Sequence, residues 1–156
     1  MEYIEYLDSA SKSLQTADHM TYMTFPLIKD NRLLIKILNE LYSSLVNMIN
    51  AVLQYEYIYK RINLYKDAKE NFRAFFEISG RYSINEEHKK KILEIFSLID
   101  SHKKSPFEFV KNEKVVMMSD NSKITTISLE KIKELLLNTK DVSRKINSAL
   151  REKSKI

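Results

Sequence analysis

Apolar residues recur at spacings of three and four along most of the chain, the period of helices that bury one face. Tyr3, Leu7, Ala10, Leu14, Ala17 and Thr21 share a face of a first helix over about 2–23. Pro26 should end it, because Phe25, preceding a proline, is pushed toward extended geometry. A longer second helix covers about 30–64, with Leu34, Leu38, Leu41, Leu45, Met48, Val52, Tyr55 and Tyr59 as its main stripe. Asp30 or Asn31 can cap its start, and Asn47 and Asn50, poor interior helix formers, mark where it can break. A third helix, about 67–79, opens on Asp67 with Glu70 placed to reach back, and buries Phe72, Phe75 and Phe76. Gly80, the single glycine, falls where a helix end favours a left-handed residue. A fourth helix follows the Asn85 cap, with Ile92, Leu93, Ile95, Phe96 and Ile99 on its core face.

The period then changes. Two β-rich runs, 114–118 and 123–127, flank the turn "SDNS" and predict a hairpin, which must lean on the helices because two strands alone are marginal. Ser128 caps a last helix over about 129–152, and the tail "REKSKI" is expected to fray. The pattern is all-α: an up-and-down bundle of about five helices, with a small β-hairpin before the last, in one domain over 1–156.

Composition narrows the function classes. One Gly and two Pro in 156 residues exclude glycine-rich phosphate loops and disfavour sandwiches and barrels. Without Cys there are no disulfides, thiolate zinc sites or cysteine nucleophiles. The acidic, amphipathic start "MEYIEYLDSA" does not read as a signal peptide, and no run of apolar residues is long enough to span a membrane. A cytoplasmic location is therefore expected. No Glu-x-x-His occurs and the three histidines are scattered, so no metal or other cofactor is expected. The net charge of +5 permits anionic partners.

Glu56 interrupts this order. It lies close to the stripe of the second helix, between Val52 and Tyr59. Either the stripe opens near the helix end and Glu56 is half exposed, or it is a buried carboxylate that needs a partner and can act as acid, base or ligand. Lys60, one turn on, and the flanking Tyr55, Tyr57 and Tyr59 are the nearest candidates to hold it. The tyrosines interleave with Lys60, Arg61 and Lys66 in a pattern suited to stacking RNA bases beside phosphates, so Glu56, Lys60, Arg61 and Tyr57 form the candidate binding set.

"RYSINEEH" places Arg81 and His88 with six residues between them near a helix start. This resembles the signature of HEPN domains, small helical bundles that include ribonucleases, in which an Arg and a His separated by four to six residues face each other across a homodimer. The resemblance implies that Arg81 and His88 are catalytic, cleaving RNA through the ribose 2′-hydroxyl without metal. Tyr82 departs from the small polar residue that the family prefers after the Arg. The N-terminal half also resembles a group of short uncharacterised archaeal helical proteins, a likeness that carries no activity. Leu33, Ile37, Val46 and Leu53 widen the apolar face of the second helix, so a homodimer is expected. Together these features predict a non-enzymatic interaction or oligomerisation module. The alternative is an RNA-associated protein, including a metal-independent HEPN-type ribonuclease; the protein partner is left open.

Overall fold

The structure, a computed structural model, describes residues 2–153. It is a mostly helical bundle with a small antiparallel sheet before the last helix. Helix α1 (Glu2–His19) does not stop at the proline. It runs through a π-helical segment, Met20–Thr24, into a short α2 (Phe25–Ile28). Phe25 N–H bonds to Met20 O, five residues back, and Pro26 occupies the first turn of α2, where its missing N–H costs nothing. The run ends at Lys29, which is left-handed.

Helix α3 (Leu33–Ile58) packs lengthwise against α1 and is unbroken at Asn47 and Asn50. Neither Asp30 nor Asn31 caps it; Asp30 instead accepts from the Arg32 amide and guanidinium. The expected stripe from Leu34 to Tyr55 is buried, and Ile37, Ile49, Ala51 and Leu53 beside it are buried too. Ile37 and Leu53 are thus covered by the protomer's own helices and offer nothing to a second copy.

The end of α3 differs most from the sequence reading. The helix stops at Ile58, and Lys60 takes φ 58°. Lys60 N–H bonds to Tyr57 O and Arg61 N–H bonds to Glu56 O, the paired bonds of a Schellman reversal with Lys60 where glycine is usual. Tyr59 therefore leaves the stripe and is half exposed.

Helix α4 (Ala68–Ile78) begins at Asp67, whose side chain accepts from Lys69 N–H, while Glu70 pairs with Arg73 and does not reach back. A 3-10 turn, Ser79–Tyr82, continues it. Gly80 is not the left-handed residue; Ser83 is, at φ 58°. Ile84 N–H bonds to Ser79 O and Ser83 N–H to Gly80 O, the same reversal one turn later than expected. Helix α5 (Glu86–Lys104) buries Ile92, Ile95 and Ile99, but Leu93 is half exposed. Phe75 is fully buried; Phe72 and Phe76 are only partly so, and Phe72 stacks on Phe96.

The sheet has three strands, β1 (Phe107–Lys111), β2 (Lys114–Met118) and β3 (Ile124–Ile127), antiparallel and in that order. The expected hairpin is β2–β3. Strand β1, whose "FEFVK" follows Pro106, is an addition that the sequence reading missed. Val115, Met117 and Ile127 seat the sheet on the bundle. Helix α6 (Leu129–Lys153) starts at Ser128, whose side chain accepts from Lys131 N–H. It packs Ile132, Leu135, Leu136, Val142 and Ile146 inward. It includes the first part of the tail expected to fray, and residues 154–156 lie outside the described residues. No helix among the described residues is long and apolar enough to cross a membrane.

Candidate functional site

Glu56 sits in the last turns of α3 and is 1% exposed. A buried carboxylate without partners would cost several kcal/mol, so its neighbours are obligatory. Three side chains supply them. The Tyr82 hydroxyl donates to Oε1 at 2.7 Å. Arg61 Nη1 donates to Oε2 at 3.3 Å, and Arg81 Nη1 lies 3.5 Å from the same oxygen.

The two helix reversals make this possible. Lys60, left-handed and exposed, turns the chain back, so that Arg61 meets the carboxylate. The expected Lys60 partner is thereby replaced by its neighbour. The second reversal, after Tyr82, brings Arg81 and Tyr82 to the same place from the other side of the α3–α4 connection. Tyr82 is the residue that departs from the HEPN pattern, and nothing local in the sequence linked position 82 to position 56.

Burial, and then the hydrogen bond to Glu56, push the Tyr82 hydroxyl well above the ordinary tyrosine value, so it stays a donor at neutral pH. The Arg61 guanidinium is held upward by Glu56 and also bonds the Tyr55 side chain. Arg61 lies over the Tyr59 ring, 5.5 Å from its centroid. Tyr55 packs edge-on against Tyr3, whose buried hydroxyl has no hydrogen-bond partner among the described residues.

One carboxylate faces two guanidiniums, which leaves one positive charge in excess. The Arg61 and Arg81 side chains are 45% and 56% exposed. Each guanidinium has five N–H donors, and the carboxylate engages one nitrogen of each. The result is a fixed pair of cationic forks at the surface, anchored from below. Tyr57, Tyr59 and Tyr65, all about half exposed, belong to the same stretch of chain.

His88 belongs to a different arrangement. It closes a capping box at the start of α5: His88 N–H bonds to Asn85 Oδ1, and Asn85 N–H donates to His88 Nδ1. Nδ1 being an acceptor, the proton sits on Nε2, which donates to Asp141 Oδ2 at 2.6 Å. The Asp141 carboxyl is held low, first by Arg144 and then by His88. His88, Asp141, Asn138, Lys91, Lys140 and Arg144 line an open cleft of about 480 Å³. Arg81 therefore serves Glu56, and His88 serves Asn85 and Asp141. The sequence carried no signal for Asp141, which lies 53 residues from its partner. Among the described residues, no group of three His, Asp or Glu side chains is placed to hold a metal ion.

No family model matches the chain, and no curated protein matches it.

Proposed function

We propose that the protein is a non-enzymatic interaction module whose ligand is single-stranded RNA, bound on the surface of Arg61, Arg81 and the tyrosines of the α3–α4 connection. The observation that carries this reading is the buried Glu56 carboxylate, which fixes two half-exposed arginines side by side. Pre-ordered guanidiniums lose little freedom on meeting a phosphate, and their planar forks match its oxygens. Tyr57 and Tyr65 add exposed aromatic surface for bases, and Lys60 and Lys66 add charge. The engagement of both His88 ring nitrogens supports binding over cleavage, since a general base needs a free nitrogen facing its substrate.

Fluorescence anisotropy with a labelled, unstructured RNA of roughly 10 nucleotides tests the proposal. Binding should weaken with salt, with a slope of about −0.7 in log K against log salt for each phosphate contact. The triple variant Glu56→Gln/Arg61→Ala/Arg81→Ala, which leaves no unpaired buried carboxylate, should flatten that slope by about 1.4, two contacts' worth, with an unchanged far-ultraviolet circular dichroism spectrum. Tyr57→Ala should weaken binding roughly 5- to 150-fold if a base stacks there. Absence of binding at about 50 mM salt would sink the reading. The HEPN-type ribonuclease alternative predicts something else: RNA cleaved in EDTA by the parent protein and left intact by His88→Ala.

A further inference from the structure

Strand β1 is the least covered element of the sheet. All five of its residues are exposed, and among the described residues it pairs only with β2, on one side. The turn to β2 is two residues long, Asn112 and Glu113, both left-handed, which is the type I′ geometry of a tight hairpin. Lys111 and Lys114 flank it and form a hydrogen-bonded pair, so Phe109 with Val116 and Phe107 with Met118 follow as hydrogen-bonded pairs. The backbone N–H and C=O groups of Glu108 and Val110 must then point out from the open edge.

Of the usual protections of an edge strand, β1 has only its two charges, Glu108 and Lys111. There is no proline or bulge within β1, and its one lysine is at the end. Glu108 is engaged by His102 of α5, so its charge is tied down beside the strand. Phe107, Phe109 and Val110 are 64%, 44% and 48% exposed.

We propose that β1 is the seam of a two-fold dimer, in which the β1 edges of two copies pair antiparallel with Phe109 on the axis. This register matches the outward groups: Glu108 of each copy exchanges hydrogen bonds with Val110 of the other, and the two Phe109 rings meet at the close, non-hydrogen-bonded position. Phe107 lies opposite the other copy's Lys111, an aromatic–cation pair, and no like charges face each other. Centring on Glu108 would oppose two carboxylates, and centring on Val110 would pair only three residues of each strand. The isologous β1–β1 contact uses up both β1 edges, whereas β1 against β3 is head-to-tail and leaves a β1 edge at one end and a β3 edge at the other, which would continue into filaments. With roughly 150–250 Å² per aromatic side chain, the exposed parts of these residues amount to about 500 Å² of apolar surface in the pair. With the backbone edges the contact stays below the roughly 1,200 Å² of standard interfaces, the size class of weak, reversible association.

Sedimentation of RNA-free protein from about 1 to 200 µM is the direct test, and a monomer–dimer equilibrium is expected. Phe109→Lys places two cations on the axis and should give monomer with an unchanged far-ultraviolet circular dichroism spectrum. The native chain has no cysteine, so Phe109→Cys reports the axis independently: mild oxidation should link two copies, since this cross-strand spacing falls within disulfide reach. Ile124→Cys, on the far strand, should not cross-link. A wild-type protein that stays monomeric at the top of the range, a Phe109→Lys protein that still dimerises, or equal cross-linking by both cysteine variants would overturn the proposal.

Discussion

Replacing Tyr82 by Phe removes one oxygen atom from a buried contact and leaves the ring in place. That oxygen donates to Glu56 Oε1 at 2.7 Å, and Tyr82 itself is buried. A hydrogen bond to a charged group contributes about 1.5–3 kcal/mol, and here the deserted carboxylate oxygen remains buried, which places the cost in the upper half of that range. For a chain of this size that corresponds to a fall in Tm of roughly 5–12 °C. Urea unfolding should show a lower midpoint with an unchanged slope, because the surface exposed on unfolding is the same. Tyr3→Phe is the matched comparison. It removes the same atom from another buried tyrosine, but that hydroxyl has no partner among the described residues, so the change should be neutral or stabilising. The size of the Tyr82 effect also depends on pH. Its raised folded value means that the contribution is fully present below about pH 10, the unfolded tyrosine value, and is lost as pH rises through the folded one. Tyrosinate absorbance should accordingly show Tyr82 ionising only as the protein unfolds. A Tyr82→Phe protein within about half a kcal/mol of wild type would refute the reasoning, since it would mean that water serves the carboxylate equally well.

Two further outcomes are expected. Gly80→Ala should stabilise by about 0.4–1 kcal/mol in urea unfolding, because Gly80 is not left-handed and an added Cβ meets nothing within 4 Å. Asp141, whose folded pKa lies below the ordinary aspartate value, contributes stability above about pH 4 that is lost as pH falls through the folded value. Thermal unfolding between neutral and acidic pH should therefore depend less steeply on pH in Asp141→Asn than in the parent.

Most of the helical framework was legible because helix burial is periodic and local. The stripe from Leu34 to Tyr55, the Asp67, Asn85 and Ser128 caps and the β2–β3 hairpin all follow from residues within a few positions of one another. The errors gathered where local rules are degenerate. Gly80 was the natural choice for a left-handed position, yet Ser83 and Lys60 took those positions, because the reversals are fixed by the paired backbone bonds and by what packs on either side. Strand β1 was missed because its five residues lack a two-residue turn of the Asn-Gly kind, and the left-handed Asn112 and Glu113 carry that turn instead.

Sequence alone determined that Glu56 lies near a buried stripe and that some partner would be needed if it were covered, since helical phase is a property of spacing. It could not determine which partner. Extending α3 past Ile58 pointed to Lys60, one turn away on the same helix. Ending α3 there brings Arg61 to the carboxylate, and a second reversal delivers Tyr82 and Arg81 from 26 and 25 positions along the chain. The same holds for His88, whose cap to Asn85 is local, while its bond to Asp141 requires α5 and α6 to pack side by side. Helix periodicity is decided by neighbours in the chain. Contacts between helix ends depend on how the elements pack, and only the tertiary structure fixes that.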